Sequence, residues 1–372
     1  MNDDSCAADD KPITGPLSGV TVLSLAEQLP GPFATLMMAD LGANVVLIER
    51  PGVGDPARTI PAFFAAMARN KRSMALDLKT PEGKARFLEL VEQADVVFEG
   101  YSPGVAARLG IGYEDLCKLN PSLVYASISG YGQTGPYRDR AGHDVSYQGV
   151  AGLMSDQAKE PGIAPEFPLA DIAGAMFAAF AVVSALHGRQ RTGIGSYVDV
   201  SLTESLAAWM TPLLGPLMNG GQKLSITHSP AYGAFSCSNG RVLTLSIVHE
   251  DHFWRALCGV LALPELAEIS YPGRMKNLQP LRERVARRIA TATLAHWATR
   301  FDAARVPWSP VHAAEDVCSD PHFIDRGLVA QMRDAQGVLQ HVLRHPVKFS
   351  AWPPIPLRPA PALGQHDGEA LI

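Results

Sequence analysis

"VTVLSLAEQLPGPFATLMMADLGANVVLIE", residues 20–49, contains two short apolar stretches separated by a segment with helical spacing. Residues 20–25 and 45–49 are rich in Val, Leu and Ile, which is typical of buried strands. Residues 32–41 predict a helix that begins after Gly31. The order strand, helix, strand predicts a βαβ unit, in which the two strands lie parallel.

The same alternation continues beyond this unit. Further strands are predicted at residues 73–78, 95–99 and 122–129, with a helix from Pro81 to Gln93 between the first two. Strands that alternate with helices form a mostly parallel sheet that is covered on both faces. The sequence therefore predicts an α/β fold.

The chain is 372 residues long, which favours one large and one smaller domain over a single core. A long Ala-rich helix is predicted to follow Asp171 and to end at Gly193, and a β-hairpin signal with an Asn239-Gly240 turn follows residue 219. The predicted organisation is a loose N-terminal tail at 1–15, a large domain at 16–218, a small domain at 219–325 and a C-terminal segment at 326–372 that returns to the large domain. The proline-rich end of that segment, residues 352–372, is expected to run extended over a surface.

Charge and composition argue against several classes of protein. The formal net charge is −5, which provides no basic face for nucleic acid, and we expect no 18-residue apolar run that could span a bilayer. The start of the chain lacks the pattern of a signal peptide, so a cytoplasmic location without membrane contact is expected. The five cysteines are widely spaced and form no C-x-x-C pair, so we expect reduced thiols and no metal.

The loop after the first strand argues against a dinucleotide site, although Glu49 ends the second strand where an acid could bind a ribose hydroxyl. Its sequence, "AEQLPGPFA", contains Pro30 and Pro32 and lacks G-x-G-x-x-G. The P-loop and the G-x-S-x-G motif are also absent from the sequence.

Two residues stand out as candidates for chemistry. His143 lies between Gly142 and Asp144, and is either a structural histidine or a proton carrier near neutral pH. Asp171 directly precedes an apolar helical run, so it is an N-cap, a base or a nucleophile. The helix dipole would favour its ionised form.

Several long segments, in the same order along nearly the whole chain, resemble the family III CoA-transferases. They include "GPFATLMMADLGANVVLIERP", "NKRSMALDLKTPEGKARF", "GRQRTGIGSYVDVSLTES" and "DPHFIDRGLV". The resemblance implies a Rossmann-like large domain joined to a smaller α+β domain, an interlocked homodimer and acyl-CoA substrates. CoA is then part of the substrate, so no separate cofactor is expected.

Within that family, "AGHDVSY" followed by "LADIAGAMF" is similar to the α-methylacyl-CoA racemases. The similarity implies that His143 and Asp171 form a two-base pair that inverts C2 of a 2-methylacyl-CoA through an enolate. We expect the Asp144 N–H to bind the enolate oxygen and Glu250 to support the histidine. The alternative is CoA transfer between carboxylic acids with Asp171 as the nucleophile, and a third possibility is a non-catalytic acyl-CoA-binding protein.

The resemblance also implies contacts to CoA. The residues concerned are Arg50, Leu76, Lys79, Gly100, Tyr101, Arg108, Gly142 and Tyr147. Ser102 departs from the pattern, because racemases usually carry Arg or Lys there.

Overall fold

The structure, a computed structural model, describes residues 15–155, 165–221 and 229–371. The chain divides into two units, the first made of Met1–Leu214 together with Ile324–Ile372 and the second of Gly215–Phe323. The predicted small domain, residues 219–325, spans nearly the same stretch as the second unit.

The first unit contains a six-stranded sheet in which every pair of neighbouring strands is parallel. The strands are β1 (Thr21–Ser24), β2 (Asn44–Glu49), β3 (Arg72–Ala75), β4 (Val96–Glu99), β5 (Val124–Ser129) and β6 (Ser196–Ser201). Their order across the sheet is β3-β2-β1-β4-β5-β6, so the direction of winding reverses between β1 and β4. The predicted α/β class is confirmed.

Helices connect these strands. They are α1 (Pro30–Asp40), α2 (Pro61–Ala68), α3 (Pro81–Glu92), α4 (Val105–Leu109), α5 (Tyr113–Leu119), α6 (Asp144–Ala151), α7 (Leu169–Thr192) and α8 (Leu202–Trp209). The Thr80 hydroxyl accepts the Gly83 N–H and so caps α3, and α7 ends at Gly193 with a φ of +71°.

Two hydrophobic cores lie on opposite faces of this sheet, because successive strand residues point in opposite directions. Val22 packs in one core with Met38 of α1 and Ala173 of α7. The next residue, Leu23, packs in the other core with Phe87 of α3.

The long helix α7 packs closely in the first core. A Cβ atom on Gly174 would lie 2.2 Å from Leu202 Cδ2, so glycine allows α7 and α8 to approach. Over an 18-residue window α7 has a mean hydropathy of 2.0, and by length and composition it could cross a membrane. The expectation that no such run exists is therefore wrong, although a core helix meets the same criterion.

The second unit has its own core and a three-stranded antiparallel sheet in the order β7-β8-β9. The elements between residues 211 and 325 are α9 (Thr211–Met218), β7 (Tyr232–Ser236), β8 (Val242–Ser246), α10 (Asp251–Leu261), α11 (Tyr271–Lys276), α12 (Leu278–Ile289), α13 (Leu294–Ala303), β9 (Trp308–Pro310), α14 (Ala314–Val317) and α15 (Pro321–Asp325). The predicted hairpin corresponds to β7 and β8.

The C-terminal part of the chain belongs to the first unit. A hairpin of β10 (Val329–Arg333) and β11 (Leu339–Leu343) comes first, and residues 355–371, here called the C-terminal strap, then run along the free edge of β3. The His366 N–H donates to the Ser73 carbonyl (3.0 Å), and the Ser73 N–H donates to His366 Nδ1 (3.1 Å). The strap therefore covers an edge strand that would otherwise expose its backbone.

Candidate active site

A cavity of about 190 Å³ lies at the carboxyl ends of the central strands β1, β4 and β5. This is the point where the strand order reverses, which is where open α/β sheets bind their ligands. Its lining residues are Ala26, Glu27, Gln28, Leu29, Pro30, Gly31, Gly100, Ile128, Ser129, Gly130, His143, Asp144, Tyr147, Asp171 and Leu202. The fold thus brings together His143 and Asp171, the two residues for which the sequence predicts chemistry.

Asp171 lies in the first turn of α7, but it does not cap that helix. The N-cap is Pro168, which offers no side-chain acceptor. The carboxylate of Asp144 takes that role instead, since its Oδ1 accepts the N–H groups of Ala170 (2.8 Å) and Asp171 (3.1 Å). The N-cap interpretation of Asp171 is therefore wrong, and its own carboxylate accepts no hydrogen bond from a described residue.

Burial, followed by the nearby charge of Asp144, raises the pKa of Asp171 from its ordinary value of 3.8 to about 7. The sequence led us to expect that the helix dipole would favour the ionised form. Desolvation and like charge outweigh that effect, because Asp144 brings a second carboxylate to the same helix end. At neutral pH both the protonated and the ionised forms of Asp171 are populated.

Gln148 orients the capping carboxylate from a buried position on α6. Its side-chain amide donates to Asp144 Oδ2 at 2.5 Å and to the Phe167 carbonyl at 3.0 Å. Gln148 is only 1% exposed, so its bond to Phe167 connects α6 to the segment before α7 away from solvent.

His143 directly precedes α6, and its carbonyl accepts the N–H of Ser146 (2.8 Å). Its imidazole is exposed at the cavity, so the alternative of a buried structural histidine is wrong. Within the described residues, the N–H of Asp144, the next residue, has no acceptor. The Asp144 N–H therefore remains able to donate to a ligand.

Gly142 and Tyr147 pack against each other. The Tyr147 hydroxyl donates to the Gly142 carbonyl (2.6 Å), and a Cβ atom on Gly142 would lie 2.9 Å from the Tyr147 ring. Gly142 is outside the cavity lining, and its predicted contact to CoA stays a prediction. Tyr147 does line the cavity, and burial followed by the charge of Asp171 raises its pKa to about 12.

The loop after β1 and the first two residues of α1 supply six consecutive lining residues, 26–31, none of which the sequence singled out for catalysis. Gln28 has a φ of +66°, in the left-handed region that non-glycine residues rarely adopt. Among the described residues, no acceptor is present for the N–H groups of Leu29 and Gly31. The position of this loop directly after the first strand was the signal that could have identified it.

The predicted CoA contacts follow the carboxyl ends of neighbouring strands. Arg50 follows β2, Leu76 and Lys79 follow β3, and Tyr101 follows β4, so all four lie along the same edge of the sheet. Arg50 and Lys79 are exposed. Burial, followed by the charges of Glu27 and Glu99, raises the pKa of Tyr101 to about 12. Of the predicted contacts on these strand ends, only Gly100 lines the cavity itself.

Arg108 lies near a second guanidinium. A Cβ atom on Gly104 would lie 3.1 Å from Arg108 Nη1 and 3.4 Å from Arg138 Nη2. Ser102, which departs from the racemase pattern, is exposed two residues earlier. Arg138 was not identified from the sequence, and it adds a positive charge to this stretch.

Two further acidic residues have partners of their own. Both oxygens of the Glu49 carboxylate accept hydrogen bonds from the Arg58 guanidinium, so the suggested ribose contact is not open. Glu250 belongs to the second unit, where its Oε2 accepts the Val248 N–H (2.9 Å). Its support of His143 stays a prediction.

Possible metal ligands do not cluster in the part of the chain that the structure describes. No group of three or more His, Cys, Asp or Glu side chains there could bind a metal ion.

The fold and site together define an α/β protein of doubly wound topology with a carboxylate in the crevice at its switch point. Comparison with known proteins places it further: the model for "CoA-transferase family III" matches residues 17–367, so the chain belongs to that family. This confirms the family resemblance.

Named relatives and a solved structure agree with this assignment. The chain is 34% identical over 376 residues to succinyl-CoA:glutarate CoA-transferase of Mus musculus, covering 96% of this chain and 86% of that protein. It is 32% identical over 375 residues to acetyl-CoA:oxalate CoA-transferase of Acetobacter aceti, covering 96% and 95%. A crystal structure of a CAIB/BAIF family protein from Brucella suis is 32% identical with a TM-score of 0.83, covering 95% of this chain and 98% of that one. These names favour the transferase alternative over the predicted racemase.

Proposed function

We propose that this protein transfers CoA from an acyl-CoA thioester to a carboxylic acid, with Asp171 as the nucleophile. The observation that carries the proposal is the state of the Asp171 carboxylate. The carboxylate of Asp171 lines the cavity at the switch point. Asp144 caps α7 in place of Asp171, and no described residue donates a hydrogen bond to the Asp171 carboxylate. A carboxylate with no other bond to make can attack a thioester.

The transfer proceeds through covalent intermediates on Asp171. Its carboxylate attacks the thioester carbonyl carbon and expels the CoA thiolate, which leaves a mixed anhydride. The thiolate then attacks the Asp171 carbonyl carbon and releases the donor acid, so CoA is now bound to Asp171 as a thioester. The acceptor carboxylate expels CoA in the same way to form a second anhydride, and the thiolate finally attacks the acceptor carbonyl, which regenerates Asp171.

The environment of Asp171 suits this chemistry. A pKa of about 7 makes the carboxylate more basic, and therefore more nucleophilic, than an ordinary aspartate, while an ionised fraction remains at neutral pH. Negative charge develops on the thioester oxygen during each attack. Among the described residues, the N–H groups of Asp144, Leu29 and Gly31 have no acceptor, and these are the donors we assign to that oxygen.

The acceptor we propose is a small dicarboxylic acid. Relatives are named for transfer to glutarate, oxalate and mesaconate, all of which carry two carboxyl groups. For the CoA moiety we propose Arg50 and Lys79 at the strand ends and Arg108 on α4, because cationic side chains bind phosphates.

Epimerisation at C2 of a 2-methylacyl-CoA is the second candidate. One observation favours it: His143 and Asp171 line the same cavity, as a two-base mechanism requires. In that reaction Asp171 would act in its protonated form in one direction and as a base in the other.

A homodimer is also part of the proposal. Helix α7 carries large exposed apolar side chains, with Phe180 72%, Met176 44% and Val183 39% exposed. A face of this kind on a helix that also packs in the core suits burial against a second copy of the chain.

The two enzymatic candidates are separated by one pair of assays. Succinyl-CoA is incubated with glutarate, oxalate or mesaconate, and hydroxylamine is added to trap an acylated Asp171. Transfer that depends on the acceptor, with the hydroxamate on Asp171, supports the proposal. Deuterium exchange at C2 of a 2-methylacyl-CoA without any acceptor, lost in His143→Ala, would instead support epimerisation.

A further inference from the structure

The loop residue Gln28 adopts a conformation that its own side chain does not favour. Its φ of +66° lies in the left-handed region, where glycine and asparagine are common and glutamine is not. Gln28 also lines the cavity that contains Asp171. Such a conformation persists only when surrounding contacts fix it.

The contact that fixes it is the carboxylate of Asp55. Both of its oxygens accept the Gln28 N–H, Oδ1 at 3.1 Å and Oδ2 at 3.2 Å. Oδ1 also accepts the Ala57 N–H at 2.8 Å, which caps the short 3-10 helix Pro56–Thr59. Asp55 is only 6% exposed, so water competes little for these bonds.

The backbone of Asp55 is itself fixed by a network of hydrogen bonds. Its N–H donates to Glu49 Oε1 (2.9 Å), and the Glu49 carboxylate also accepts from Arg58 and from the Ser73 hydroxyl (2.6 Å). The C-terminal strap continues the same network, since the Gly364 N–H donates to Ser73 Oγ at 3.0 Å. A chain of hydrogen bonds thus connects the strap to the cavity loop.

From this geometry we infer that Asp55 is a positioning residue, which fixes the Gln28 backbone in its left-handed conformation and thereby sets the wall of the cavity beside the reacting groups. Asp55 is outside the cavity lining, so in this inference it acts through the Gln28 backbone. Its effect on the reaction rests on the proposed CoA transfer, whereas its effect on the backbone does not.

Two substitutions of Asp55 and one of Gln28 separate the two roles of Asp55. In Asp55→Ser the shorter side chain still offers an acceptor to the Ala57 N–H but cannot reach the Gln28 N–H. In Asp55→Asn the amide oxygen takes the place of Oδ1 and can accept from both N–H groups. Gln28→Pro forces a negative φ while Asp55 is intact. Asp95→Ser is the matched control, because the Asp95 carboxylate accepts the Thr21 N–H (2.8 Å) at the amino end of the same sheet.

The readouts are steady-state transfer from succinyl-CoA to a dicarboxylate and the crystal structure of each variant. Asp55→Ser and Gln28→Pro should lower kcat by about a hundredfold with little change in KM for the acyl-CoA, since a misplaced wall acts on the reacting geometry. The kcat of Asp55→Asn should stay near that of the wild type. Asp95→Ser should have the wild-type kcat at temperatures where the variant is folded. In the Asp55→Ser crystals, Gln28 should have a negative φ.

Several results would overturn the inference. They are a positive φ at Gln28 in Asp55→Ser, a negative φ with unchanged kcat, or a Gln28→Pro protein as active as the wild type. If the wild-type protein transfers no CoA, the proposed function fails, and the φ of Gln28 in the variants still decides the role of Asp55.

Discussion

Replacing Asp171 by Asn should stabilise the protein, and the gain should depend on pH. The pKa of Asp171 is raised from 3.8 to about 7 in the folded state, so the folded protein retains this proton over a range in which the unfolded chain has lost it. Unfolding therefore releases a proton between about pH 4 and pH 7, and the free energy of unfolding falls as pH rises through that window. The asparagine has no proton to lose, and it escapes this cost.

The size of the effect follows from the shift. A rise from 3.8 to about 7 corresponds to roughly 4 kcal/mol before solvent screening is taken into account. Asp171 is only half-buried, and solvent screening reduces the expected difference to about 1–2 kcal/mol. A cost of this size at one residue is typical of functional sites, where stability is given up for reactivity.

Urea unfolding of the wild type and Asp171→Asn at about pH 4.5 and about pH 8 measures this difference. The variant should gain about 1–2 kcal/mol more over the wild type at the higher pH than at the lower one. Asp139→Asn, which replaces a carboxylate that is 80% exposed, is the control and should show no such change. An equal stability difference at both pH values would refute the raised pKa of Asp171.

Further predictions concern the groups around Asp171. Asp144→Asn removes a charge that contributes to the raised pKa of Asp171 but keeps an oxygen for the N–H groups at the start of α7. The acidic limb of the pH profile of kcat should therefore move to lower pH. An acidic limb at the same pH as in the wild type would contradict this. Gly31→Ala places a Cβ atom 2.2 Å from Ala26 Cβ, which should cost about 1–3 kcal/mol in urea unfolding and lower CoA transfer. Gly149→Ala on α6 is its control, because nothing lies within 4 Å of the added atom; equal losses in both variants would contradict the proposed crowding.

The sheet could be predicted because its signals are local. Strands β1, β2 and β4 have apolar residues between their ends and are buried on both faces, which gives the short Val, Leu and Ile stretches of a parallel sheet. The sixth strand was missed. It lies at the edge of the sheet, and in "SYVDVS" exposed Tyr197 and Asp199 interrupt the apolar run.

The site could be predicted only in part. Asp171 and His143 were found through their resemblance to family segments, and the fold does place them at one cavity. Their surroundings depend on contacts between distant parts of the chain. Asp144 caps a helix that begins 25 residues later, and Asp55 bonds to Gln28 from 27 residues away, so neither spacing leaves a local pattern.

The apolar α7 shows a second limit of local patterns. By composition it could cross a membrane, yet its small residues pack against the sheet and α8. Only the tertiary contacts distinguish the two cases.

The central claim is that the Asp171 carboxylate attacks the thioester, and isotope transfer tests it most directly. The enzyme is incubated with succinyl-CoA and a dicarboxylic acid, glutarate, oxalate or mesaconate in turn, whose carboxyl oxygens are heavy-isotope labelled, and the peptide that contains Asp171 is then analysed by mass spectrometry. If each turnover passes through the two anhydrides, Asp171 acquires one heavy oxygen from the acceptor. Transfer of CoA to the acceptor with an unlabelled Asp171 would contradict the account.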